Sequence, residues 1–76
     1  MLYRDNNTIY NAKSMGDLTL MLYQTSRARQ PNQTLESWML GYSDRAEALL
    51  GITIDCHTPD RFAEHLVTLG LLNPLH

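Results

Sequence analysis

The chain has 76 residues, 43% of them hydrophobic and 18% charged, with a formal net charge of −2 and a single cysteine. That length holds one small domain over residues 1–76, and the lone Cys56 excludes an internal disulfide. So small a net charge also excludes non-specific nucleic-acid binding, which needs clustered cations to displace phosphate counterions.

The charge is uneven. Residues 1–33 carry Arg4, Lys13, Arg27 and Arg29 against Asp5 and Asp17, a balance of +2; residues 34–76 carry Arg45 and Arg61 against six carboxylates, a balance of −4. The longest hydrophobic run near the N-terminus, Leu20 to Tyr23, is too short for a signal-peptide core or a membrane span. The expectation is a soluble, untargeted chain in a reducing cytoplasm, where a lone thiol persists.

Residues 1–13 alternate loosely around the turn-forming Asp5, Asn6 and Asn7, which predicts an extended arm or a short hairpin. Ser14 opens a Ser-x-x-Asp capping pattern with Asp17, and a helix is expected over 15–29. Arg27 and Arg29 would fall in its last turn, facing the free carbonyls, with Pro31 as the stop. Met15, Leu18, Met21, Leu22 and Thr25 share its core face. Leu20 and Tyr23 lie off that face, so either the helix is buried on two sides or these residues meet something outside the domain.

Thr34 caps a second helix over 35–50. Leu35, Trp38, Met39, Tyr42, Ala46, Leu49 and Leu50 form its stripe, opposite Glu36, Ser43, Asp44 and Glu47, with Leu40 off the stripe. Gly41 in mid-helix suggests a close approach by another backbone. Gly51-Ile52 and Gly70-Leu71 both read as Schellman endings. Between them Ile52 to Asp55 have the propensity of a short edge strand. Thr58, Pro59 and Asp60 then give cap, first-turn proline and first-turn acid for a third helix over 59–69, which buries Phe62, Ala63, Leu66 and Leu69.

Reactive constellations are hard to assemble. Cys56 and His57 are adjacent, and His65 and His76 complete no zinc-ligand spacing, so no metal is expected. A Cys/His pair would need thiolate and imidazole within hydrogen-bond reach, which sequence neighbours seldom achieve. Asp44 with Glu47 and Asp60 with Glu64 read as solvated surface carboxylates, and the four glycines, at 16, 41, 51 and 70, build no phosphate loop. No catalytic residue and no cofactor is expected. Arg27 and Arg29, followed by Gln30, Asn32 and Gln33, make the only basic polar cluster.

Ala-Leu-Leu-Gly-Ile-Thr followed by Phe-Ala-Glu-His-Leu-Val-Thr-Leu-Gly-Leu-Leu, within Ala46 to Leu72, resembles the rhythm of bacterial helix-turn-helix regulators. The resemblance covers about a third of the chain and implies that the third helix reads DNA through Thr58, Arg61 and His65. It departs from the family in the long Gly51–Pro59 connection and in the acidic start of the would-be recognition helix.

The expected fold is mainly α: a compact three-helix domain, with a short N-terminal hairpin or edge strand as an α+β variant, and a core centred on Leu18, Leu22, Trp38, Tyr42, Leu49, Phe62 and Leu66. The expected function is non-catalytic protein binding by an adaptor, regulator or inhibitor. Leu20, Tyr23, Arg27, Arg29 and Leu40 would be its contacts to another protein or to a second copy of the chain. The alternative is a dimeric DNA-binding transcriptional regulator.

Overall fold

The computed structural model describes residues 2–5, 8–26 and 29–75. Among them, in chain order, run β1 (Leu2–Asp5), β2 (Thr8–Asn11), α1 (Met15–Thr25), α2 (Leu35–Leu50), α3 (Pro59–Thr68) and β3 (Asn73–Leu75). The three helices share one core with a three-stranded antiparallel sheet of order β2-β1-β3, so the fold is α+β and not simply mainly α. No helix among the described residues is long and apolar enough to cross a membrane.

The N-terminal hairpin forms, with Tyr3 opposite Tyr10 and Asp5 opposite Thr8. Strand alternation turns both tyrosines into the core, at 7% exposure each, and leaves Leu2 and Ile9 on the outer face. The third strand is not Ile52 to Asp55. There Ile54 is buried, its carbonyl accepts from Ser43 Oγ at 3.4 Å, and the Asp55 N–H donates to His65 Nδ1 at 2.8 Å. Side chains of α2 and α3 thus satisfy backbone groups that a strand partner would otherwise take. The tail supplies the strand, with Leu75, Pro74 and Asn73 opposite Leu2, Tyr3 and Arg4.

The helix starts follow the caps. Ser14, Thr34 and Thr58 each accept, at 3.1 Å, the N–H three residues on, from Asp17, Ser37 and Arg61. The ends differ more. α1 stops at Thr25, four residues short of Arg29: Thr25 Oγ1 turns back onto the Met21 carbonyl at 3.0 Å, and Ser26 is extended. Arg27 and Ala28 lie outside the described residues. Arg29 follows the helix end without belonging to it. α3 ends at Thr68 with Leu69 as its cap; the Gly70 N–H reaches Val67 O and the Leu71 N–H reaches Leu66 O, a complete Schellman motif. Gly51, at φ 68°, makes the simpler ending, one bond from its N–H to Glu47 O.

α1 packs principally on α3. A Cβ on Gly16 would lie 2.5 Å from Asp60 Oδ1, so the close approach is at Gly16 and not at Gly41, whose nearest neighbour would be Arg45 Nη1 at 3.5 Å. Phe62, Leu18, Leu66, Met39 and Leu72 fill the centre. α2 is attached through aromatic rings: Trp38 meets Phe62 at 5.7 Å and Tyr42 at 5.6 Å, and Tyr42 meets Phe62 edge-on at 5.5 Å. Leu49 does not join this core. It is 80% exposed, because α1 ends before it could cover the last turn of α2. Leu69, expected inside, is also exposed as the cap of α3.

Candidate functional site

The shortened α1 leaves an apolar groove of about 480 Å³, lined by Ser26, Tyr42, Arg45, Ala46, Leu49, Leu50 and Leu71. Ser26, the cap of α1, stands on its rim; Tyr42, Arg45, Ala46, Leu49 and Leu50 follow one another along α2; Leu71 comes from the turn after α3. Leu49 and Leu50, the latter 60% exposed, are large aliphatic side chains facing water beside a buried Ala46. The stripe read from the sequence of α2 is real, but among the described residues its last members, Leu49 and Leu50, are left exposed. Burial pushes the Tyr42 phenol up, Asp5 pushes it further, and Arg45 opposes both. Among the described residues Arg45 is the one cation of the lining.

The residues expected to contact a partner fall elsewhere. Tyr23 is half-buried: its ring meets Trp38 edge-on at 5.9 Å, its hydroxyl donates to the Gln33 carbonyl, and the Arg29 guanidinium lies 5.0 Å from its centroid. Tyr23 and Arg29 line a polar hollow with Gln30, Pro31 and Asn32, and neither Leu20 nor Leu40 lines it. Gln33 braces this turn, accepting from the Gln30 N–H at 3.1 Å and donating to Ser37 Oγ at 3.3 Å. Leu20 and Leu40 are exposed on α1 and α2, and Arg27 lies outside the described residues.

Of the residues assigned to DNA reading, Thr58 is the cap of α3, while Arg61 lies 3.8 Å from Asp55 Oδ2 and shares a shallow hollow with Asp55, Glu64, His65 and Thr68. The two carboxylates there oppose a phosphate backbone. His65 Nδ1 already accepts the Asp55 N–H.

Cys56 lies 3.5 Å from the carbonyls of Met39 and Ile54. Burial pushes its thiol up, a hydrogen bond with Ser43 pulls it down, and Asp55 and Asp44 push it up again, so the thiolate is disfavoured at neutral pH. His57 is exposed and uses its N–H on Asp55 Oδ1 at 2.8 Å. No group of three or more His, Cys, Asp or Glu side chains among the described residues is arranged to hold a metal ion.

Comparison with protein-family models, with curated proteins and with solved structures finds no match to this chain. The groove was missed in the sequence because Leu49 and Leu50 continue the buried stripe of α2 without a break. Only Thr25 and Ser26, two residues that divert hydrogen bonds from a helix, hinted that the covering helix stops early.

Proposed function

We propose that this chain is a non-catalytic, cytoplasmic protein-binding module, an adaptor, regulator or inhibitor that works by covering a surface of another protein. The observation that supports this reading is the groove at the end of α2, where Leu49 and Leu50 leave apolar surface uncovered beside a packed aromatic core. Its chemistry suits an amphipathic partner helix that inserts large aliphatic side chains over Ala46 and sets a carboxylate beside Arg45.

The test combines capture with mapping. A photo-crosslinker at position 49 and another at position 20 are compared in the native cell, and the crosslinked protein is then titrated with purified wild type, Leu49→Asp and Leu20→Asp. Crosslinking from 49, with binding lost in Leu49→Asp and kept in Leu20→Asp, is the expected result. Binding indifferent to Leu49→Asp and Leu50→Asp overturns the assignment to the groove, and dependence on Leu20 instead returns it to the outer side of α1.

A further inference from the structure

The sheet has two edges, and its register shows that they are not equivalent. Pro74 has no N–H, so the Tyr3–Pro74 pair is a non-hydrogen-bonded one, and in an antiparallel ladder the pairs alternate. Leu2 and Arg4 therefore turn their N–H and C=O groups toward β3, and Tyr3 and Asp5 turn theirs toward β2. Tyr10 and Thr8 answer Tyr3 and Asp5. Ile9 and Asn11 must then point their backbone N–H and C=O groups away from β1, into the open side of the sheet. No hydrogen bond ties these four groups to another described residue. On the far edge the outward-facing residue of β3 is Pro74, which has a carbonyl to offer and no donor.

We propose that β2 is an interaction surface for a second copy of this chain, joining two sheets edge to edge into one of six strands. The surface is complementary to itself. A two-fold axis perpendicular to the sheet and midway between the Tyr10 residues of the two copies sets Ile9 against Asn11 of the second copy and Asn11 against its Ile9. Each pair exchanges an N–H···O=C bond in both directions, so all four free groups of each copy are used. The same axis keeps the faces in register: both Tyr10 side chains stay on the inner face with the helices, and the two Ile9 side chains, each 61% exposed in one chain, meet diagonally on the outer face. Strand addition of this kind goes beyond the groove reading and uses none of its residues.

Two measurements test it. Sedimentation from micromolar to millimolar concentration is expected to show the mass rising from 8.7 kDa to twice that value, with the Ile9 and Asn11 amides slowing in hydrogen exchange over the same range while exposed loop amides do not. Ile9→Pro deletes an N–H that bonds no described residue, and is expected to weaken dimerisation at least tenfold with an unchanged circular dichroism spectrum. Ile9→Lys serves the same purpose should the proline variant not fold. Leu49→Asp is expected to leave the dimer intact, which separates this interface from the groove. A chain monomeric to millimolar concentration, a dimer indifferent to Ile9→Pro and Ile9→Lys, or a dimer dissolved by Leu49→Asp overturns the proposal.

Discussion

Thr19 Oγ1 lies 2.5 Å from the carbonyl oxygen of Pro59, joining the middle of α1 to the first turn of α3 across 40 residues of chain. Among the described residues Thr19 is the one buried polar residue outside the aromatics, and its hydroxyl could also bond the Met15 carbonyl at 3.3 Å within its own helix. Bonding outward makes the hydroxyl a tie between helices. Thr19→Val keeps the shape and removes the donor, and is expected to cost about 1–2 kcal/mol of unfolding free energy. Urea denaturation of the pair of proteins measures it, and an unchanged midpoint would show that the bond is dispensable.

Gly41 and Gly51 should respond in opposite directions to alanine. Gly41 sits in mid-helix, where an added Cβ would meet Arg45 Nη1 in ordinary van der Waals contact at 3.5 Å, so Gly41→Ala is expected to stabilise by about 0.5–1 kcal/mol through helix propensity. Gly51 adopts φ 68° to end α2, and Gly51→Ala is expected to destabilise although nothing lies within 4 Å of the added Cβ. Thermal unfolding of both variants reads the difference in sign.

Leu20 and Tyr23 also separate. Leu20→Asp changes an exposed position and should leave the unfolding free energy within about 0.5 kcal/mol of wild type. Tyr23→Ala removes the ring that packs on Trp38 and the hydroxyl on Gln33, and is expected to cost about 2–3 kcal/mol. A loss of partner binding in Tyr23→Ala therefore has to be read beside its stability, whereas a loss in Leu20→Asp does not.

Leu49→Ser and Leu66→Ala test where the core ends. Leu66 is enclosed, and its truncation is expected to cost about 2–5 kcal/mol; Leu49, at the open end of α2, should cost less than about 0.5 kcal/mol.

Stability should fall on the alkaline side. Burial raises the Cys56 thiol and the Tyr42 phenol in the folded chain, so as pH rises the unfolded chain loses these protons first. Unfolding free energy then drops through the ordinary thiol range near about 8.5, and again through the phenol range near about 10. Both contributions are fully present at neutral pH. Cys56→Ala is expected to abolish the first step and keep the second, and alkylation of native Cys56 should reach half its maximal rate at a higher pH than for free cysteine.

The legible parts of this fold were those written in short-range chemistry. Ser14, Thr34 and Thr58 each announced a helix start, Gly51 and Gly70 each announced an end, and the stripe of α2 placed Trp38, Met39 and Ala46 inside. What escaped depended on partners distant in sequence. Pro74 argues against a strand in any local reading, and it becomes one only because Tyr3 offers a non-hydrogen-bonded place for it. Ile52 to Asp55 look like a strand, but Ser43 and His65 claim their backbone groups. The candidate site suffered most, since Leu49 is apolar, on the stripe and yet outside, and its exposure is decided by where a different helix stops.

Pro74 also decides what kind of assembly the sheet can support. A sheet with two live edges adds copies without limit, each new chain presenting the next free strand, and grows into a fibre. With one edge lacking a donor at Pro74, the proposed head-to-head joining would use up the other edge, and growth would stop there. On the proposed edge-to-edge pairing, a single pyrrolidine ring in the three-residue β3 would thus separate a self-limiting particle from an open polymer.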